Sequence, residues 1–103
     1  MKLADVKAHA IGAAQGDGWR VIINGKTAWA GLGNRSGLHD YQWTAIREKY
    51  EKSGPRFEKK LDALQPGDTV EIQRFVNITR DRGRWVFVKK LTVDGRDVFP
   101  EFE

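Results

Sequence analysis

Apolar residues recur at helical spacing near the start of the chain and at every second position near its end. Residues 2–14 predict a short helix. Its apolar face consists of Leu3, Val6, Ala10 and Ala13. From Val70 to Ile78, apolar and polar residues alternate, which is the period of a strand. The chain therefore combines helical and extended segments, which favours an α+β fold.

A β-hairpin is predicted by an Asn-Gly pair that separates two short apolar runs. Asn24 and Gly25 lie between residues 19–23 and residues 26–30, and Asn-Gly favours a type I′ turn because both turn positions need a positive φ. A symmetrical pairing across the turn places Trp29 on the less apolar face of the hairpin. We expect Trp29 to be exposed and to anchor a partner. Packing of Trp29 against the first helix is an equal alternative.

The middle of the chain predicts a helix over residues 38–53 with apolar stripes on two sides. One stripe is Trp43, Ile46 and Tyr50, and the other is Leu38, Tyr41 and Ala45. Such a helix is typically packed between two elements. Gly54-Pro55 is predicted to end it and to start a second, shorter helix, because proline is tolerated in a first helical turn.

Three strands are predicted after the turn at residues 65–68. The first follows the alternation from Val70 to Ile78, the second runs over residues 85–93, and the third returns through residues 97–99 after an Asp94-Gly95 turn. The predicted fold is a single α+β domain over residues 1–103. In it, two or three helices pack against an antiparallel sheet made of the N-terminal hairpin and a C-terminal three-stranded meander.

The register of the first two C-terminal strands depends on the turn at residues 80–83. A symmetrical turn places Trp85 and Phe87 on the core face. It also places Arg74 opposite Lys89, and like charges repel each other across a strand pair. Either a bulge shifts the register at this point, or this end of the sheet meets an anionic partner.

Positive charge is concentrated in the same part of the chain. The protein has a formal net charge of +4, and between Arg74 and Arg96 seven basic residues are opposed only by Asp81 and Asp94. Arginines around an exposed turn bind phosphates, and neighbouring aromatic rings stack on unpaired bases. We expect a nucleic-acid-binding accessory domain, for DNA or RNA, that uses the basic C-terminal hairpin. The candidate binding residues are Arg74, Arg80, Arg82, Arg84, Lys89, Lys90, Arg96, Phe75 and Trp29.

A protein partner is the alternative explanation of the same basic hairpin. In that case the chain is a small protein-interaction or inhibitor protein, of the kind that phages and mobile elements encode, and its arginines contact an acidic protein surface.

No catalytic motif is present. The glycine-rich residues 31–37 lack the Lys-Ser/Thr ending of a phosphate-binding loop and are interpreted as a connector. The chain has no cysteine, and His9 and His39 lack the spacing of metal ligands, so we expect neither a metal nor a cofactor. We expect no enzyme activity, with a metal-free ribonuclease as the open alternative.

The sequence also predicts a cytoplasmic protein without membrane contact. Asp5, Lys7 and His9 interrupt what would be the apolar region of a signal peptide. Apolar runs are a few residues long, against about 20 needed to cross a bilayer.

Residues 19–50 resemble the plant-type AP2 and phage-integrase arm DNA-binding domains over about a third of the chain. The shared pattern is a Trp-bearing strand, an Asn24-Gly25-Lys26 turn, a glycine after the next strand, and then a helix. The third strand of those domains is not evident here. The resemblance identifies no family.

Overall fold

Two helices and four strands form the part of the chain that the computed structural model describes. It describes residues 1–16, 18–31, 40–79 and 82–99, without the side chains of residues 40–48, 77–79 and 82. The elements in chain order are α1 (Leu3–Ala14), β1 (Trp19–Ile23), β2 (Lys26–Gly31), α2 (Asp40–Asp62), β3 (Thr69–Thr79) and β4 (Arg82–Thr92). The predicted α+β class is confirmed, while the strand arrangement and the number of helices match only roughly.

The four strands form one antiparallel sheet with the order β2-β1-β3-β4. The predicted third strand of the C-terminal meander is wrong, because Val98 makes only an isolated bridge with Lys90. A side chain takes the place of a strand partner there: Asp97 Oδ1 accepts a hydrogen bond of 2.9 Å from the backbone N–H of Thr92. Residues 96–99 are therefore held to β4 by one bridge and one side-chain hydrogen bond.

The N-terminal hairpin is confirmed, but its register differs from the symmetrical one. Asn24 and Gly25 have φ values of 49° and 82°, as the predicted turn requires. A bulge then shifts the pairing, so that Val21 lies opposite Trp29. The shift moves Trp29 to the face that carries Val21.

Trp29 is consequently a core residue and not an exposed anchor. Its side chain is 6% exposed. The ring centroid lies 5.7 Å from that of Tyr50 and 5.3 Å from that of Phe57. The prediction that Trp29 is exposed and contacts a partner is therefore wrong.

The predicted break at Gly54-Pro55 is also wrong, because α2 continues through both residues to Asp62. A proline inside a helix removes one backbone hydrogen bond and crowds the preceding turn. Here Tyr50 and Phe57 lie seven residues apart, one on each side of Pro55, and both contact Trp29. Packing of both halves of α2 on one ring holds the helix continuous. The predicted stripe residue Trp43 lies outside the described side chains.

The hydrophobic core lies between the two helices and one face of the sheet. Its buried residues are Val6, Ala10, Ala14, Val21, Trp29, Phe57, Leu61, Leu64, Val70, Ile72, Leu91 and Val93. Full burial of one large apolar side chain contributes about 1.5–3 kcal/mol. We call the side of the sheet that faces this core the inner face and the opposite side the outer face.

Candidate nucleic-acid interface

The β3–β4 hairpin extends beyond the rest of the sheet. β1 pairs with β3 only from Ile23 opposite Val70 to Trp19 opposite Arg74, and the carbonyl of Gly18 accepts one further hydrogen bond from the N–H of Phe75. The β3–β4 pairing continues past this point to Thr79 opposite Arg82. We call residues 75–85 the arm. Among the described residues, no third strand pairs with it.

A register shift between Ile72 and Gln73 determines which side chains occupy each face of the arm. Ile72 lies opposite Lys89, whereas Gln73 lies opposite Phe87, so Val88 is an extra residue in β4. A shift by one residue moves every following side chain to the other face. Because of this shift, the side chains of residues 84–87 on β4 point to the face opposite from the one expected.

The expected core positions of Trp85 and Phe87 are therefore wrong. Trp85 lies opposite Phe75 on the outer face and is half-buried. Phe87 lies on the same face and is 39% exposed. Among the described residues, it is the one exposed large hydrophobic side chain. The observed register also separates two residues that the symmetrical register had placed opposite each other, because Arg74 lies opposite Val86 and Lys89 lies opposite Ile72.

The outer face of the sheet carries an ordered cluster of aromatic and polar groups. The ring centroids of Phe75 and Trp85 are 5.4 Å apart in an edge-to-face arrangement. The guanidinium carbon of Arg20 lies 4.6 Å from the Trp85 ring centroid. Arg20 Nε also donates a hydrogen bond of 2.6 Å to Gln73 Oε1, and Gln73 in turn contacts Glu71. The cluster therefore fixes a cation against an indole ring on an accessible face.

The inner face of the β3–β4 hairpin carries basic residues beyond the end of the core. Arg84 lies opposite Val76, and both Arg84 and Arg74 are exposed. The Arg74 guanidinium carbon lies 5.4 Å from the Trp19 ring centroid. These two arginines and Lys89 lie on one side of β3 and β4, and form a basic strip that leads toward α1.

A cleft lies where this basic strip reaches α1. It has a volume of about 350 Å³ and includes His9, Trp19 and Lys89 in its lining. Lys89 Nζ lies 2.9 Å from His9 Nδ1. Burial, and secondarily the positive charge of Lys89, hold the pKa of His9 below its ordinary value. His9 is thus favoured in its neutral form, which can accept a hydrogen bond from the Lys89 ammonium.

The remaining predicted site residues are divided among different places. Lys90 is exposed on the outer face opposite Glu71. Arg96 is exposed after the Asp94-Gly95 turn. It lies near the end of β4 that is farthest from the arm. Arg80 lies outside the described residues, and Arg82 is described only in its backbone. The structure thus brings Arg74, Arg84 and Lys89 to one face and Phe75 and Lys90 to the other.

Arg20 is a feature that sequence reasoning missed. It stands on a strand that is distant in sequence from the basic hairpin, and its position depends on the pairing of β1 with β3. Alternation along β1 places Arg20 on the face opposite Val21. No local pattern indicated that this face continues into that of Phe75 and Trp85.

The described residues contain no group of three or more histidine, cysteine, aspartate or glutamate side chains arranged to hold a metal ion. Neither described helix is long and apolar enough to cross a membrane. Comparisons with protein-family models, with curated proteins and with solved structures found no match to this chain.

Proposed function

We propose that this protein is a nucleic-acid-binding domain that contacts phosphates with the β3–β4 hairpin. The observation that carries the proposal is the arm, a two-stranded ribbon that projects past β1 with Arg84 exposed on its inner face and Arg74 exposed on the same face just before it. A ribbon of two strands is narrow enough to follow a nucleic-acid groove or a single strand. Side chains on such a projection approach phosphates without displacing the protein core.

The charge of the hairpin supports the same partner. Between Gln73 and Lys90 the basic residues are Arg74, Arg80, Arg82, Arg84, Lys89 and Lys90, against the single acidic residue Asp81. The ion pairs between described residues join the N-terminal ammonium to Asp97 and Lys7 to Asp62, and neither involves the arm. Arg74 and Arg84 thus have no ion-pair partner among the described residues, and such exposed charge attracts a polyanion and releases its counterions on binding.

Binding is tested by fluorescence anisotropy with a labelled oligonucleotide across a salt series. With about 4–6 phosphate contacts, raising salt from about 50 to about 200 mM is expected to lower affinity about 10²–10³-fold. The triple variant Arg80→Gln, Arg82→Gln, Arg84→Gln should weaken binding to every sequence. Its salt slope should fall by about one for each phosphate contact removed.

The matched control removes the same charge elsewhere. Lys52, Arg56 and Lys59 are exposed on α2, so the variant Lys52→Gln, Arg56→Gln, Lys59→Gln has the same net charge as the arm variant. Both variants should retain parental stability within about 0.5 kcal/mol per site. A flat salt response, or an equal loss of affinity in the control, contradicts the proposal. Capture of an acidic protein that only the arm variant loses, without oligonucleotide binding, supports the protein-partner alternative instead.

A further inference from the structure

The outer face of the sheet is the largest feature that phosphate binding does not explain. The buried residues of the described strands lie on the inner face, and none of the described helix side chains that form the core packs on the outer one. Aromatic side chains nevertheless occupy the outer face at Phe75, Trp85 and Phe87. Exposing them to water has a cost in stability, and a ligand that covers them would recover it.

Pairing across the sheet places these groups in two adjacent rows. In one row Arg20 and Phe87 flank Gln73, and in the other Trp85 lies opposite Phe75. Trp85 and Phe87 are two residues apart on β4, which corresponds to about 6.7 Å along the strand. That spacing is about twice the 3.4 Å rise between stacked bases of one DNA strand. Flat groups at this spacing suit bases that have separated from one another.

The chemistry of the rows is that of a base-stacking surface. Aromatic rings and arginine guanidinium planes both stack on unpaired bases. Hydrogen bonding to Gln73 holds the Arg20 guanidinium over the Trp85 ring. Phe87 is the more accessible ring. Since paired bases in a duplex show only their edges in the grooves, these planar groups are accessible to bases of a single strand.

We propose that the outer face binds unpaired bases by stacking on Phe87 and on the Arg20–Trp85 pair, so that the nucleic acid bound is single-stranded. The inference rests on the proposed function, because the basic hairpin supplies the phosphate contacts. Charge favours this occupant over an apolar protein surface. Arg20 and Lys90 on the outer face outnumber Glu71, and the basic arm continues from the same strands.

The test compares one labelled sequence as a single strand and as a duplex, at one salt concentration. The parent should prefer the single strand. Phe87→Ala should weaken single-strand binding by roughly 5–150-fold and leave duplex binding unchanged, since stacking on one aromatic ring contributes about that factor. Because Phe87 is partly exposed, thermal unfolding should show a folded variant.

Two conservative variants separate stacking from simple apolar contact. Phe87→Tyr keeps a planar ring and should keep single-strand affinity within about twofold. Phe87→Leu keeps much of the apolar area without the ring and should lose most of what Phe87→Ala loses. Equal affinity in Phe87→Leu and the parent overturns stacking as the mode of contact.

The remaining outcomes distinguish this inference from the proposed function. If single strand and duplex bind equally and only the arginine variant weakens them, the stacking surface is wrong and the nucleic-acid-binding hairpin stands. If no oligonucleotide binds at all, both fail. If sedimentation shows self-association that Phe87→Ala abolishes, without preference for single strands, the face is an interface between two copies of the chain and the inference is overturned.

Discussion

The base of the β3–β4 hairpin and its arm are built from the same two strands but have opposite environments. In the base, Val70, Ile72 and Leu91 are buried against the helices. In the arm, Trp85 is half-buried and Arg84 is exposed. The base obtains its stability from the core, whereas the arm is held mainly by strand pairing and by aromatic contacts on one face.

The register shift at Ile72 and the end of β1 at Trp19 separate these two regions. From Val70 to Ile72, before the shift, alternation directs apolar side chains of β3 to the helices. On the arm side of the shift, the extra residue Val88 directs the aromatic side chains of β4 away from the helices. The pairing of β1 with β3 ends at about the same point. A bulge of this kind re-aims side chains without ending the strand. One hairpin can therefore contribute to the core at one end and present aromatic side chains on the opposite face at the other.

The largest expected effect is in the base of the molecule. Trp29→Ala removes a buried ring that contacts both halves of α2 around Pro55. We expect a loss of about 3–5 kcal/mol in the free energy of unfolding, as for other buried aromatic truncations. Urea denaturation measures it. Trp29→Phe, which retains one ring in the core, should cost less, and a loss under about 1.5 kcal/mol in Trp29→Ala would show that α2 does not depend on this packing.

A smaller effect is expected from the corresponding truncation in the arm. Trp85→Ala removes a half-buried ring that contacts Phe75 and Arg20. It should lower the free energy of unfolding by about 1–2 kcal/mol, in the ordinary range for single substitutions outside a core. The same denaturation measurement provides the comparison with Trp29→Ala. If the two variants lost equal free energy of unfolding, Trp85 would contribute to stability as a core residue does, and the two regions would not differ in this respect.

The sequence predicted correctly those features that depend on neighbouring residues, namely one turn, the buried face of α1 and the buried residues of β3. Asn24-Gly25 specified its turn because few other dipeptides tolerate two positive φ values. The helical spacing of Val6 and Ala10 specified the buried face of α1. The alternation in β3 specified burial of Val70 and Ile72. Each of these features depends on residues of a single turn, helix or strand.

The features that the sequence did not predict depend on contacts between residues far apart in the chain. No local pattern shows that a bulge will bring Trp29 into the core, because the reason is its contact with Tyr50 and Phe57 on α2. The helix crosses Pro55 for the same reason. Trp85 and Phe87 on β4 were assigned to the wrong face because a register depends on the whole sheet and a slip of one residue inverts it. The basic cluster was visible in the sequence, but its division between two faces was not.

The smallest expected effect tests the face assignment at the register shift itself. Lys89 Nζ contacts His9, whereas Lys90 lies on the outer face opposite Glu71. Burial is the larger cause of the lowered pKa of His9 and the charge of Lys89 the smaller, while Asp5 and Asp97 act in the opposite direction. Lys89→Met should therefore raise the pKa of His9 without restoring its ordinary value. Lys90→Met, the matched control, should leave it unchanged, and NMR titration of the His9 ring measures both.

The sign of the accompanying stability change follows from the direction of that pKa. Because the pKa of His9 is lower in the folded chain than in the unfolded one, the unfolded chain binds more protons as pH falls below the ordinary histidine pKa. This contribution to stability is present above that pH and is lost as pH falls through the folded pKa. Lys89→Met should reduce the loss, and only slightly, since the His9 side chain lines the cleft but is only partly shielded from water. A shift in His9 produced by Lys90→Met and not by Lys89→Met would show that the strand register is displaced by one residue. The aromatic side chains of the arm would then belong to the inner face.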